Sequence, residues 1–85
     1  MKLWLLKPVE GLGVDSPWYG IYDCANGFVV RAETEDDARS FADSQGGDET
    51  RRPFHDTWLQ PKYATCEELT GDGEPGVVLC DFNAG

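Results

Sequence analysis

The side chains with the greatest potential for chemistry in this sequence are one histidine and three cysteines. His55 is the one candidate for a general base near neutral pH, and no nucleophile motif such as G-x-S-x-G accompanies it. Cys24, Cys66, Cys80 and His55 could together ligate zinc, but no two cysteines have the short spacing that places two ligands on one turn of chain. The sequence therefore predicts no catalytic centre, no metal site and no cofactor.

Acidic side chains are the more informative feature. The 85 residues include 16 aspartates and glutamates against 7 lysines and arginines, for a net charge of −9. This charge opposes binding to nucleic acid or to an anionic membrane. Seven of the carboxylates lie between positions 33 and 49, where an acidic face would meet a basic surface of another protein. The partner-binding residues predicted from this concentration are Glu35, Asp36, Asp43, Asp48 and Glu49. The alternative is that they only form a solvated helix start and polar turns.

The elements that must position these residues belong to one small domain, residues 1–85. A domain of this size buries only about 60% of the surface that its unfolded chain exposes, so its core must be thin. The pattern predicts an α+β fold, in which a mostly antiparallel sheet of four or five strands carries one short helix on one face.

The strands are indicated by short apolar runs between turn residues. Residues 2–7 are apolar on both faces, as in a central or well-covered strand, and Pro8 ends this run. Asn26-Gly27 lies between the runs 19–24 and 28–32, and this dipeptide is typical of a hairpin. Residues 63–69 and 77–82 are the remaining strand candidates.

The helix is predicted near residues 35–45. Thr34 is a good N-cap, Asp37 completes a variant of the capping box, and the carboxylates of the first turn complement the helix dipole. Ala38, Phe41 and Ala42 have the spacing of one narrow apolar stripe. The pair Gly46-Gly47 ends the helix.

The stretch 46–62 is a long loop that contains two prolines. Phe54, Trp58 and Leu59 predict that this loop is pinned to the core. Tryptophan is common both in cores and at the centres of interfaces, so the loop around Phe54 and Trp58 is the alternative partner contact to the acidic face.

The chain contains no apolar run that approaches the roughly 20 residues of a membrane span. Its longest apolar run, residues 3–6, is too short for the core of a secretory signal. An odd number of widely spaced cysteines is not a secreted disulfide framework. These features predict a protein of the cytoplasm with reduced thiols.

Three blocks of the sequence carry a resemblance to a known group of proteins. They are Met1-Lys2-Leu3-Trp4-x-Leu6, the run from Val29 to Arg39 with Ala42 one turn on, and Trp58-Leu59-x-Pro61 followed by Cys66-Glu67-Glu68-Leu69. These blocks, which span most of the chain, resemble small proteins of phages and prophages. The resemblance implies a phage accessory protein. Accessory proteins of this size and acidity include anti-CRISPR proteins, many of which bind a Cas complex or nuclease without catalysis, and some of which are acidic mimics of DNA.

The expected function is therefore inhibition of a host defence complex by a small acidic phage protein that blocks nucleic-acid or PAM binding by a Cas effector. Its partner would be a basic surface of that host protein, with no direct contact to nucleic acid or membrane, in the host cytoplasm. The leading alternative is an antitoxin-like or regulatory protein that caps a basic partner. A metal-dependent enzyme is the third class, and it would require bound metal and loss of activity when His55 is substituted.

Overall fold

The computed structural model describes residues 1–51, 53–70 and 75–77. Three strands, β1 (Lys2–Pro8), β2 (Phe28–Ala32) and β3 (Ala64–Leu69), form one antiparallel sheet in the order β2-β1-β3. One helix, α1 (Glu35–Ser44), follows β2, and single 3-10 turns occur at Gly13–Asp15, Asp48–Thr50 and Thr57–Leu59. The predicted α+β class, with one helix and an antiparallel sheet, is confirmed.

The number of strands differs from the prediction, because the described residues form three strands rather than four or five. The strand predicted at 77–82 lies outside the described residues from position 78 onward. The strands predicted at 2–7 and 63–69 are confirmed as β1 and β3, and β1 is the central strand. Pro8 is the last residue of β1, so its missing N–H interrupts no ladder beyond that point.

The predicted hairpin around Asn26-Gly27 is wrong. Residues 19–24 form turns instead of a strand, and β2 pairs with β1 in a register that sets Leu6 opposite Phe28. Neither Asn26 nor Gly27 has the positive φ that a tight hairpin turn requires, whereas Gly20 has a φ of 69°. The hairpin does not form because the chain turns at Gly20 and the Trp18 indole donates back to the Ala25 carbonyl, so residues 19–24 do not run as a strand beside β2.

The core lies between the sheet and α1. Leu6, Ala32, Ala38, Ala42, Trp58 and Ala64 are its buried residues. Trp58 is fully buried, and its ring makes edge-on contacts with Phe28 and Trp18 at centroid distances of 4.8 and 5.2 Å. Trp58 is 14 residues beyond the end of α1, so the loop 46–62 is indeed pinned to the core by this side chain. Small alanines on the helix leave room for the large indole.

The helix begins as predicted and packs differently. Thr34 caps it, since its Oγ1 accepts a hydrogen bond from the Asp37 N–H at 3.2 Å. Ala38 and Ala42 face the core, but Phe41 of the predicted stripe is 58% exposed. Arg39 is buried instead, at 5% exposure.

Burial of Arg39 is compensated by hydrogen bonds from two of its guanidinium nitrogens, Nε and Nη1. Its Nε donates to Glu35 Oε2 at 2.9 Å, and its Nη1 donates to the carbonyls of Trp58 and Ala64 at 3.1 and 2.9 Å. These bonds join the helix to the loop before β3 and to the first residue of that strand. Arg39 therefore has the structural role that the apolar stripe assigned to Phe41.

We predict that Arg39→Leu lowers the free energy of unfolding by about 2–4 kcal/mol, because the buried carbonyls of Trp58 and Ala64 lose their donor. Urea denaturation followed by tryptophan fluorescence measures this loss. The matched control is Arg31→Leu on exposed β2 surface, which should change stability by less than about 0.5 kcal/mol. Equal stability of the two variants would contradict the stabilising role of the Arg39 hydrogen bonds.

Candidate protein-binding surface

The exposed side of α1 combines carboxylates with an aromatic ring. Asp36, Asp37, Ser40, Phe41 and Ser44 are all exposed, whereas Ala38, Arg39 and Ala42 face the protein interior. Asp37 and Phe41 are one helical turn apart and therefore neighbours on this side. We call Asp36, Asp37 and Phe41 the acidic helix face. An exposed aromatic side chain with a charged surround is the composition of an interface centre and its rim.

The first two predicted contact residues lie at the start of this helix. Asp36 is exposed as predicted. Glu35 is 47% exposed at its side chain, and its carboxylate pairs with the Arg39 guanidinium at 2.9 Å. Much of its charge is therefore balanced from within the fold, so Asp36 is the freer of the two for a partner.

The next two predicted contact residues, Asp43 and Asp48, are half-buried and have structural bonds. Asp43 Oδ1 accepts a hydrogen bond from the Trp58 backbone N–H at 3.2 Å. Asp48 Oδ1 pairs with Arg51 Nε at 3.0 Å. Neither residue extends the acidic helix face as a free carboxylate.

Glu49 does not belong to any surface, and its prediction as a contact residue is wrong. Its side chain is fully buried. Oε1 accepts N–H groups from Ala25 and Gly47 at 3.0 and 3.1 Å, and Oε2 accepts them from Gly47 and the Trp58 indole at 3.0 and 2.8 Å. The carboxylate is buried because backbone and indole donors replace its hydration.

Gly46 provides the space for this carboxylate, and Gly47 provides the space for the neighbouring backbone of Asp23. A Cβ on Gly46 would lie 2.6 Å from Glu49 Oε2, and a Cβ on Gly47 would clash with the Asp23 carbonyl. The predicted role of these glycines in ending the helix is compatible with this second role. No local signal in the sequence indicated this burial, because the donors from Ala25 and Trp58 lie 24 and 9 residues away in the chain.

We predict that Glu49→Gln lowers the free energy of unfolding by about 1–3 kcal/mol, because the new amide N–H₂ faces N–H donors. The control is Glu67→Gln on exposed β3 surface, with an expected change below about 0.5 kcal/mol. Chemical denaturation compares the two variants with the wild type. If Glu49→Gln is as stable as the control, the buried network contributes nothing.

The three tryptophans are used inside the fold, which bears on the alternative contact loop. Trp58 is fully buried, and the indoles of Trp4 and Trp18 donate to the Ala32 and Ala25 carbonyls at 3.0 and 2.7 Å. Phe54 is half-buried and packs edge-on against Tyr63. The loop around Phe54 therefore presents no free tryptophan to a partner.

The histidine and cysteine side chains, which could have served in catalysis or metal binding, lie in different parts of the fold. His55 is 78% exposed and lies 3.4 Å from Asp56. Cys24 Sγ donates to Asn26 Oδ1 at 3.5 Å in the loop before β2, and Cys66 lies on β3. Burial raises the pKa of the Cys66 thiol, although nearby Arg39 acts in the opposite direction, so this side chain is a thiol at neutral pH. Cys80 lies outside the described residues.

In residues 1–51, 53–70 and 75–77, no group of three or more histidine, cysteine, aspartate or glutamate side chains is arranged to hold a metal ion. Within the same ranges, no helix has the length and apolar character needed to cross a membrane.

Two exposed tyrosines were missed by the sequence interpretation. Tyr19 is 63% and Tyr22 is 93% exposed, in the segment that was predicted to be a strand. The signal that could have indicated a loop is Gly20, because a glycine between two aromatic residues in such a run permits a reversal of the chain.

Comparison of the chain with protein-family models, with curated proteins and with solved structures finds no match.

Proposed function

We propose that this chain is a non-catalytic binding protein that inhibits a host defence complex, with a Cas effector as its target, in the host cytoplasm. The observation that carries this proposal is the acidic helix face, where Phe41 is 58% exposed one helical turn from Asp37, with Asp36 on the same exposed side of the helix. The phage-like resemblance of the sequence directs the proposal to defence complexes.

The physical argument begins with Phe41. A phenylalanine on a helix that has an apolar side contributes more to folding when it is buried, and this one is not. Transfer of such a ring into a partner's pocket would contribute about 1.5–3 kcal/mol to binding. The exposed ring is thus a candidate anchor at the centre of an interface.

The negative charge of the protein determines which kind of partner surface it binds. A net charge of −9 on 85 residues accelerates encounter with a basic surface, and the carboxylates of Asp36 and Asp37 place part of it on the same exposed side of the helix as the anchor. The basic channel or PAM-reading surface of a Cas effector is such a partner, because it must bind duplex DNA with one charge per about 1.7 Å of axis. A protein seated there would exclude the nucleic acid.

The proposal is tested with a panel of bacterial strains, each of which has a single type of CRISPR–Cas system. We predict that expression of the chain restores plasmid transformation in at least one strain. The purified chain should then prevent the corresponding effector from binding its DNA target, and this competition should weaken between about 0.1 M and 1 M salt as screening increases. Full interference in every strain would overturn the assignment to Cas effectors.

We also predict that the double variant Phe41→Ser with Asp36→Lys weakens inhibition at least about tenfold, because it removes the anchor and reverses a charge on the same exposed side of the helix. The matched control is Val14→Ser with Glu10→Lys, which makes the same change of charge and polarity at exposed positions of another segment. Both variants should unfold at the same urea concentration as the wild type, within about 0.5 kcal/mol of stability.

Equal inhibition by the two double variants would contradict the role of the acidic helix face. The antitoxin-like alternative makes a different prediction, namely that a gene beside this one encodes a basic toxin whose activity the chain neutralises. Neutralisation of such a toxin, together with full interference in every strain of the panel, would replace the inhibitor proposal.

A further inference from the structure

A second surface is formed by residues 19–23, which we call the tyrosine loop. Tyr19 and Tyr22 are 63% and 93% exposed, although burial of either ring would stabilise the fold. Gly20 between them has a φ of 69°, a conformation that side chains other than glycine rarely adopt. The backbone thus turns at Gly20 and leaves both phenol rings in solvent.

The tyrosine loop is held in place by hydrogen bonds of the residues at its two ends. Trp18 donates its indole N–H to the Ala25 carbonyl at 2.7 Å, and the Ala25 N–H donates to the buried Glu49 carboxylate at 3.0 Å. The Asp48 N–H donates to the Asp23 carbonyl at 2.8 Å. The tyrosine loop is therefore anchored to the core at both of its chain ends, and little conformational entropy remains to be lost when a partner binds.

The chemistry beside the rings is acidic. Asp23 is the exposed last residue of the loop, and Asp48 lies against it through the backbone hydrogen bond. Asp48 already pairs with Arg51, so Asp23 is the carboxylate of the two that is proposed to meet a partner. A guanidinium group stacks flat on a tyrosine ring and forms two parallel hydrogen bonds to a carboxylate. An ammonium group contacts the same groups only as a point charge. Rigid tyrosines are also the main contact residues of antibody binding loops.

We propose that the tyrosine loop is a second binding surface of this protein and that it takes arginine side chains of the partner, stacked on Tyr22 and paired with Asp23. This inference rests on the proposed function, since it assigns a second contact with the same basic partner. It adds a preference for arginine over lysine, which net charge alone does not produce.

The test is an NMR titration of the full chain with two blocked peptides, Gly-Arg-Gly-Arg-Gly and Gly-Lys-Gly-Lys-Gly, which have equal charge. The arginine peptide should shift the amide signals of residues 19–23 and of Asp48 and the ring signals of Tyr22. The lysine peptide should bind this loop at least about twofold more weakly. Tyr22→Ser should weaken binding of the arginine peptide about two- to fivefold, the range of an exposed cation–π contact.

The matched control is Phe41→Ser, which removes an exposed aromatic ring from the acidic helix face and should leave the loop's response to the arginine peptide unchanged. The inference is overturned if the two peptides shift the loop equally, if the shifts are confined to α1, or if Tyr22→Ser binds like the wild type. The strain panel reports separately on the proposed function. If the arginine peptide shifts the loop signals but the chain inhibits no strain's system, the Cas target is refuted and the arginine site stands. If the chain inhibits but the loop signals do not shift, the arginine site is refuted and the Cas target stands.

Discussion

The buried carboxylate of Glu49 is the interaction on which the irregular half of this protein depends. It accepts N–H groups from Ala25 in the loop before β2, from Gly47 after the helix, and from the indole of Trp58 at distances of 2.8–3.1 Å. None of these three donor residues lies in a strand or in α1. A charge in a dry core is costly unless its hydration is replaced, so these donors and the carboxylate require each other. The bond to Glu49 fixes the indole of Trp58, which is the largest side chain of the core.

Carboxylates of one sequence cluster consequently have two different roles. Glu49 and Asp43 bond to groups of the fold, whereas Asp36 and Asp37 remain in solvent on the helix. The proposed contact surface is for that reason smaller than the stretch 33–49 suggested, and it gains an aromatic centre in Phe41. Fewer charges beside an exposed ring describe a specific protein contact better than a broad acidic patch, because the ring contributes affinity and the charges contribute encounter and selection.

The same network connects the core to the second surface. Glu49 holds Ala25, Ala25 is also held by Trp18, and the tyrosine loop lies between these two anchored residues. A small domain with a thin core cannot stabilise long loops through burial alone. Here part-buried hydrogen bonds hold the ends of the loop, and the tyrosine rings are left for contact with another molecule.

The sequence by itself determined the elements whose signals are local: the helix from its Thr34 cap and alanine spacing, the central strand β1 from its two apolar faces, and β3. Only the tertiary structure decided that β2 pairs with β1 and that residues 19–24 turn at Gly20 instead of pairing with β2 across Asn26-Gly27. It also decided that Arg39 is buried and Phe41 exposed, since carbonyls of Trp58 and Ala64, 19 and 25 residues away, supply the acceptors. Burial of Glu49 likewise depends on donors from the distant residues Ala25 and Trp58. A charged side chain is buried or exposed according to the donors and acceptors that distant segments bring to it, and its neighbours in sequence do not contain that information.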